Sequence, residues 1–214
     1  MTSKLPSFPV LLAIMTLSGF ASQSGAQQPS ALTNDGKAKV AREVNITSDS
    51  APGWIPSETQ EEQVILATKD YFFALDSGQY RTAYEMMAPM NKQYVPYPQF
   101  MEQSRRFRDQ AGPVLSRSTL KITWTKDPAN GPFPGIYAAV DVAGKFANVD
   151  RACGYLVFYQ NPSGGGFQLL RVESNFIDNV TAQNIERTKS RAALDEIWSS
   201  LSVNCPNYAS NPSE

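Results

Sequence analysis

The sequence contains no histidine and only two cysteines among its 214 residues. Without an imidazole, the chain can form neither a Ser-His-Asp nor a Cys-His catalytic group, and it lacks the usual general base for neutral pH. The two cysteines do not form a C-x-x-C motif, and the chain offers no other soft ligand for zinc. The sequence therefore predicts no resident metal or cofactor.

The sequence also lacks an excess of charge of either sign. It has 19 basic and 20 acidic residues and a formal net charge of −1. Nucleic-acid-binding proteins carry a basic surface, and this composition does not provide one. The hydrophobic content of 42% is nevertheless sufficient to build a core, so we expect a folded domain and no nucleic-acid partner.

No apolar run reaches the length of a membrane span. The longest one, residues 10–20, follows Lys4 and precedes the small residues Ser24, Gly25 and Ala26. A membrane helix needs about 20 apolar residues, whereas a signal peptide has this shorter three-part pattern. We predict that residues 1–26 are a signal peptide cleaved before Gln27, with cleavage after Ala21 as the alternative. The protein would then be periplasmic or secreted, with no stable membrane anchor.

The two cysteines, Cys153 and Cys205, are expected to pair. An even cysteine count in an exported protein is typical of a disulfide, although two free thiols remain the alternative. The bridge would close a loop of about 53 residues and stabilise the fold by about 4 kcal/mol in the chain-entropy description. It would attach the end of the chain to the interior of the domain.

The chain before the first helix is polar and without periodicity, which predicts a flexible leader over residues 27–56, with Trp54 and Ile55 docking onto the domain. Ser57 and Gln60 have the spacing of a capping box and predict a helix that starts at Ser57. This helix is apolar over a broad arc, so we expect it to be largely covered. Two further helices are predicted near residues 79–87 and from Pro96 to Ala111.

The periodicity then changes from 3.6 to 2, which predicts four strands between about residues 119 and 177. Short loops join them, so the sheet should be an antiparallel meander. A single C-terminal helix is predicted over residues 181–201. The expected organisation is an α+β domain over residues 57–178, a C-terminal helical segment over 179–204 and a tail over 205–214.

Several stretches resemble the exported bacterial family called domain of unknown function 4019, within the NTF2-like (cystatin-like fold) superfamily. They are residues 74–80, 112–117, 131–137, 145–148 and 166–170. The resemblance covers about residues 60–178. It implies export and a cone in which three N-terminal helices pack on a curved four-stranded antiparallel sheet, followed here by a C-terminal helix. The family has no established activity, so the resemblance implies no reaction.

NTF2-like cones often have a pocket between the helices and the sheet, and some resemble ketosteroid isomerases, which use a buried carboxylate with a tyrosine. The weak pocket candidates here are Tyr71, Tyr84, Tyr137 and Tyr155, and the neighbouring acids are Asp70, Glu85 and Asp141. None of them forms a motif at fixed spacing. The alternative is that the tyrosines are core or rim residues and the acids are exposed.

Three other features admit a functional and a structural interpretation. They are the arginines Arg105, Arg106 and Arg108, the glycines at 164–166 and the row Tyr155, Val157 and Tyr159. The arginines are expected on a solvated helix face, with Arg105 pairing with Asp109. The glycines lack a following Gly-Lys-Ser/Thr pattern, so we expect a hairpin turn rather than a phosphate loop. The tyrosine row favours cross-strand packing over a binding surface.

These observations favour a non-catalytic exported module that binds a small apolar ligand or an envelope protein. The first alternative is an isomerase or dehydratase with a carboxylate base and a tyrosine. The second is a scaffold component of an envelope assembly. An acid within reach of a tyrosine hydroxyl inside the fold would favour the enzyme, stabilisation by an apolar compound or an envelope protein would favour the binding module, and co-purification with a single stoichiometric partner would favour the scaffold.

Overall fold

A computed structural model describes residues 44–205 of the chain. The predicted signal peptide, the leader up to residue 43 and the tail from residue 206 lie outside the described residues. Within residues 44–205 the chain forms six α-helices and five strands. The helices are α1 Glu58–Asp76, α2 Tyr80–Glu85, α3 Pro89–Tyr94, α4 Tyr97–Ala111, α5 Asn179–Thr188 and α6 Arg191–Leu201. The strands are β1 Asn45–Ile46, β2 Val114–Lys126, β3 Ile136–Phe146, β4 Val149–Gln160 and β5 Gln168–Asp178.

Side-chain caps fix the start of the longest helix, α1. The Gln60 N–H donates to the Ser57 hydroxyl at 3.2 Å, and the Ser57 N–H donates to the Gln60 side-chain oxygen at 2.9 Å. The predicted capping box is therefore confirmed. At the end of α4, Gly112 adopts a φ of 72°, which a residue with a Cβ rarely adopts.

The prediction of three helices before the sheet was wrong, because the described residues contain four. The additional helix, α3, has six residues and begins at Pro89. None of its residues is buried, so the sequence shows no apolar periodicity there. The single C-terminal helix was also wrong. The helix α5 ends at Thr188, and Ser190 caps the next helix, because its backbone is extended and its hydroxyl accepts a hydrogen bond from the Ala193 N–H at 3.1 Å.

The sheet is mixed and has the order β1-β2-β3-β4-β5 within the described residues. Strands β2 to β5 form the expected antiparallel meander, but β1 pairs parallel with β2, so the predicted four-stranded antiparallel sheet is corrected. The Thr47 N–H extends this contact by donating to the Trp124 carbonyl at 2.9 Å. A two-residue strand has no detectable alternation, which explains why sequence periodicity missed it.

The segment that follows β1 also packs on the domain. Trp54 meets Trp124 edge to face, with 6.5 Å between the ring centroids. Ile55, in contrast, is 66% exposed. Of the two residues expected to dock, only Trp54 therefore packs against the core.

The buried side chains form three clusters, and the two largest lie on opposite faces of the sheet. The main core joins α1, α2 and α4 to one face and includes Val64, Tyr71, Tyr84, Phe100, Trp124, Val140, Leu156, Phe158 and Leu169. The C-terminal cluster joins α5 and α6 to the other face and contains Cys153, Ile177, Ala182, Leu194, Trp198 and Cys205. Adjacent residues of a strand point to opposite faces, so β4 contributes to both clusters.

Within residues 44–205, no helix combines the length and the apolar character needed to cross a membrane.

Candidate functional site

The interior between the helices and the sheet is filled by large side chains. Trp124 and Phe158 are at most 1% exposed, and Tyr71 is 2% exposed. Burial raises the pKa of the Tyr71 hydroxyl, and the positive charge of Arg117 opposes this only in part. The Tyr84 hydroxyl donates to the Val95 carbonyl at 3.0 Å. Both predicted candidates on the helices are therefore core tyrosines.

Within residues 44–205, no carboxylate joins these tyrosines in the main core. Asp70 and Glu85 are exposed on the outside of their helices. Glu85 forms ion pairs with Arg81 at 3.7 Å and with Lys92 at 3.2 Å. Among the described residues, Asp141 is the one buried acid, and it lies on the face of β3 that points away from the main core. An isomerase-like acid and tyrosine pair is thus not assembled in this interior.

The opposite face of the sheet brings several predicted residues together. The strand register places Tyr137 beside Tyr159, and Asp141 beside Tyr155. Val157 lies between the two tyrosines of β4 on the same face. We call this surface the tyrosine face and define it by Tyr137, Asp141, Tyr155, Val157 and Tyr159.

Two members of the tyrosine face hold the loop of residues 127–135. The Tyr137 hydroxyl donates to the Phe133 carbonyl at 2.6 Å, and the Tyr159 hydroxyl donates to the Pro134 carbonyl at 2.9 Å. Their rings lie 5.1 Å apart. These two tyrosines therefore have a structural role, and they form one border of the tyrosine face.

Tyr155 differs, because its hydroxyl makes no hydrogen bond within residues 44–205. The ring is half-buried, and the guanidinium of Arg171 lies 5.4 Å from its centroid. Arg171 is also paired with Glu173 at 3.2 Å. Burial raises the pKa of Tyr155, against an opposing effect of Arg171. Tyr155 thus remains a neutral hydrogen-bond donor on a surface that carries one positive charge, on Arg171, and two acidic groups, Glu173 and Asp141.

Arg171 and Glu173 were not singled out as functional residues by the sequence. Their alternation placed both on the outward side of the last strand, but alternation does not reveal which side chains lie beside them. The β4–β5 register, which pairs Tyr155 with Glu173 and Val157 with Arg171, supplies that information. Register is set by turns and by packing across strands, and neither is readable from one strand alone.

The disulfide between Cys153 and Cys205 is present, which confirms the predicted pairing. Both cysteines are buried, at 3% and 4% exposure. Cys153 lies on β4 two residues before Tyr155. The bridge therefore attaches Cys205, which follows α6, to the sheet next to the tyrosine face. The described residues contain no group of three side chains suited to hold a metal ion.

The remaining predicted features are structural. Arg105 pairs with Glu102 at 2.7 Å rather than with the predicted Asp109, because a partner three residues earlier also lies on the same helix face. Arg106 contacts the same carboxylate at 3.7 Å. The glycines at 164–166 form an exposed turn that leads into β5, and no helix follows them.

A separate groove of about 270 Å³ lies at the sheet edge, beside β1 and the start of α1. It is lined by Val44, Asn45, Glu61, Thr119, Leu120, Lys121, Ile122 and Trp124. The groove lies outside the interior in which the sequence placed a ligand pocket.

The architecture defines an α+β domain in which helices and a mixed sheet enclose a filled core. Residues 67–170 match the family described as "Protein of unknown function (DUF4019)", which supports the resemblance found in the sequence. The matched segment runs from α1 to β5 and ends before α5 and α6. Neither the curated proteins nor the solved structures include a match to this chain.

Proposed function

We propose that the protein is an exported, NTF2-like interaction module that binds an envelope protein through the tyrosine face. The observation that carries this proposal is the Tyr155 hydroxyl, which makes no hydrogen bond within residues 44–205 and lies on a half-buried surface next to Val157 and the Arg171–Glu173 pair. Tyrosine and arginine are enriched at the centres of protein interfaces.

Export is supported by two independent features. The first 26 residues have the pattern of a signal peptide, and the buried disulfide suits an oxidising compartment. The NTF2-like assignment is supported by the order of elements, with helices before a meander and packed on one of its faces.

A protein partner is favoured over a ligand in the cone because large side chains, such as Trp124 and Phe158, fill the space between the helices and the sheet. The groove at the sheet edge supports a second candidate, a small apolar ligand. Its lining includes Val44, Leu120 and Ile122. The isomerase or dehydratase alternative has less support, since Asp141 and Tyr155 meet on the outer face rather than in an enclosed, water-free site.

The test is site-specific photocrosslinking in living cells. A photoreactive residue at Val157 should form one discrete adduct with an envelope protein, and Tyr155→Ala or Arg171→Glu should reduce that adduct at least fivefold. The matched control is the same photoreactive residue at Val180, which is 76% exposed on α5. Equal adducts at both positions, or none at Val157, would contradict the proposal. Stabilisation by an apolar compound that is lost in Leu120→Ser would instead favour the groove.

A further inference from the structure

The outward face of α1 carries large apolar side chains that no element within residues 44–205 covers. Leu66 is 58% exposed, Phe73 is 66% exposed and Ile65 is 38% exposed. The broad apolar arc of this helix predicted that it is largely covered. The structure covers only the opposite side, through Val64, Thr68, Tyr71 and Ala74. Packing within residues 44–205 of one copy therefore does not explain the apolar residues on the outward side.

The exposed residues follow a regular geometric pattern. Leu66 and Phe73 are seven residues apart, so they lie one above the other at a separation of about 10 Å along the helix. Along the helix axis, Lys69 and Asp70 lie between Leu66 and Phe73. At about 100° per residue, they project on opposite sides of the Leu66–Phe73 line, each by roughly 50°. We call these four residues the α1 seam.

The two charges of the seam are available to a partner. Lys69 and Asp70 are both exposed, and neither makes an ion pair within residues 44–205. As direct neighbours in a helix they do not face each other, so they do not neutralise one another across the helix surface. An apolar line flanked by one positive and one negative charge is complementary to a rotated copy of itself.

We propose that the α1 seam binds the α1 seam of a second copy of this chain, with the two helices parallel. In a parallel pair the two-fold axis runs along the helices, so the left flank of one helix meets the right flank of the other. Lys69 then faces Asp70 of the second copy, and the same contact repeats on the other side. Leu66 and Phe73 each pack against their own counterparts.

The same charges disfavour the antiparallel arrangement. There the two-fold axis is perpendicular to the helices, and like flanks meet. Lys69 would face Lys69 of the second copy, and Asp70 would face Asp70. Like charges at short distance repel, so the charge pattern selects the orientation.

The seam covers about two helical turns, which is less surface than a permanent dimer requires. We therefore expect a weak and reversible dimer. Sedimentation equilibrium of the protein, purified as its host produces it, should show a monomer–dimer equilibrium that shifts with concentration. Phe73→Ser should weaken the association at least tenfold, whereas the control Val180→Ser, at a similarly exposed helical position, should leave it unchanged. Unchanged circular dichroism would show that both variants fold.

A charge exchange tests the orientation. Lys69→Asp and Asp70→Lys should each weaken the dimer severalfold, because each places like charges across the seam. The double variant Lys69→Asp with Asp70→Lys restores opposite charges in a parallel pair and should recover the original affinity. An antiparallel pair would show little loss in the single variants and no recovery.

Three outcomes would overturn the proposal. One is a protein that stays monomeric at every accessible concentration. Another is a dimer that Phe73→Ser does not weaken. The third is a monomer in which Phe73→Ser abolishes binding of a different protein, because the seam would then belong to that partner. The photocrosslink at Val157 tests the tyrosine face separately, so a monomer or an unweakened dimer is distinguishable from a failure of the proposed function.

Discussion

The main core and the C-terminal cluster stabilise the same sheet from opposite faces by different means. The main core buries large side chains such as Trp124 and Phe158 and has no covalent link. The C-terminal cluster buries six residues and includes the Cys153–Cys205 bridge. Hydrophobic stabilisation grows with the buried apolar area, so the smaller cluster gains less from packing alone. The family match likewise includes most of the main core and ends before the C-terminal helices.

Because of this difference, we expect the two faces to respond differently to the same perturbation. The main core spans elements that are distant in sequence, so its loss should unfold the whole domain. The C-terminal cluster joins α5 and α6 to the ends of β4 and β5, so its loss should open the last helices first.

The largest expected effect comes from matched tryptophan variants. Trp124→Ala should lower the free energy of unfolding by about 3–5 kcal/mol, because it leaves a cavity in the main core. Amides in α1 and β3 should then exchange faster with solvent. Trp198→Ala, at a similarly low exposure of 6%, is the control and should accelerate exchange mainly in α5 and α6. Equal acceleration in both regions would show that the two clusters form one cooperative unit.

Removal of the disulfide is the next largest perturbation. The double variant Cys153→Ala with Cys205→Ala should lower the free energy of unfolding by about 2–4 kcal/mol. Native-state hydrogen exchange should locate the loss in α6 and in the residues that precede Cys205. The Arg151–Asp195 ion pair, at 2.9 Å, should keep α6 partly docked. Complete unfolding of β3 in this variant would contradict the separation of the two regions.

A smaller effect is expected at Asp178, which caps α5. Burial alone would raise the pKa of its carboxyl, but hydrogen bonds from Thr181 and Gln110 outweigh it and lower the pKa. Since the folded pKa is lowered, the stabilisation is fully present above about pH 4 and is lost as the pH falls through the lowered value. Asp178→Ala should cost about 1 kcal/mol at neutral pH.

Urea unfolding between pH 6 and pH 2.5 checks this sign. Asp178→Asn keeps a good cap without a titrating group, so its stability should fall less over this range than that of the original protein. A parallel loss in both proteins would mean that the Asp178 carboxyl does not contribute.

The smallest effect should have the opposite sign. The Tyr80 hydroxyl is buried and has no hydrogen-bond partner among the described residues. Tyr80→Phe should therefore raise the free energy of unfolding by up to about 1 kcal/mol. Tyr84→Phe is the matched control and should lower it by about 1 kcal/mol, since the Tyr84 hydroxyl bonds to the Val95 carbonyl. Thermal unfolding of both variants measures the difference, and destabilisation by Tyr80→Phe would reveal a missing partner.

Much of the fold was predictable because it rests on local signals. The capping box at Ser57, the end of α4 at Gly112 and the alternation in β3 each depend on residues close in the chain. The secondary-structure features that the sequence missed had either a short signal or none. The two residues of β1 and the six of α3 are too short for periodicity, and the break at Ser190 required its backbone conformation.

The candidate site was less predictable than the fold. Tyr155 and Asp141 were named from residue type alone, together with Tyr71 and Tyr84, which turned out to be core residues. Nothing in their spacing separated the two groups. The distinction depends on which face of the sheet the helices cover, and that is decided by packing between distant segments.

The α+β class, the antiparallel meander and the expected cysteine pairing could be read from the sequence, because periodicity and composition act over a few neighbouring residues or over the chain as a whole. The burial of individual tyrosines, the charges beside Tyr155 and the side of α1 that residues 44–205 leave exposed follow from the three-dimensional packing. Those properties arise from the strand register and from helix-to-sheet packing, where residues far apart in the chain compete for the same buried surface.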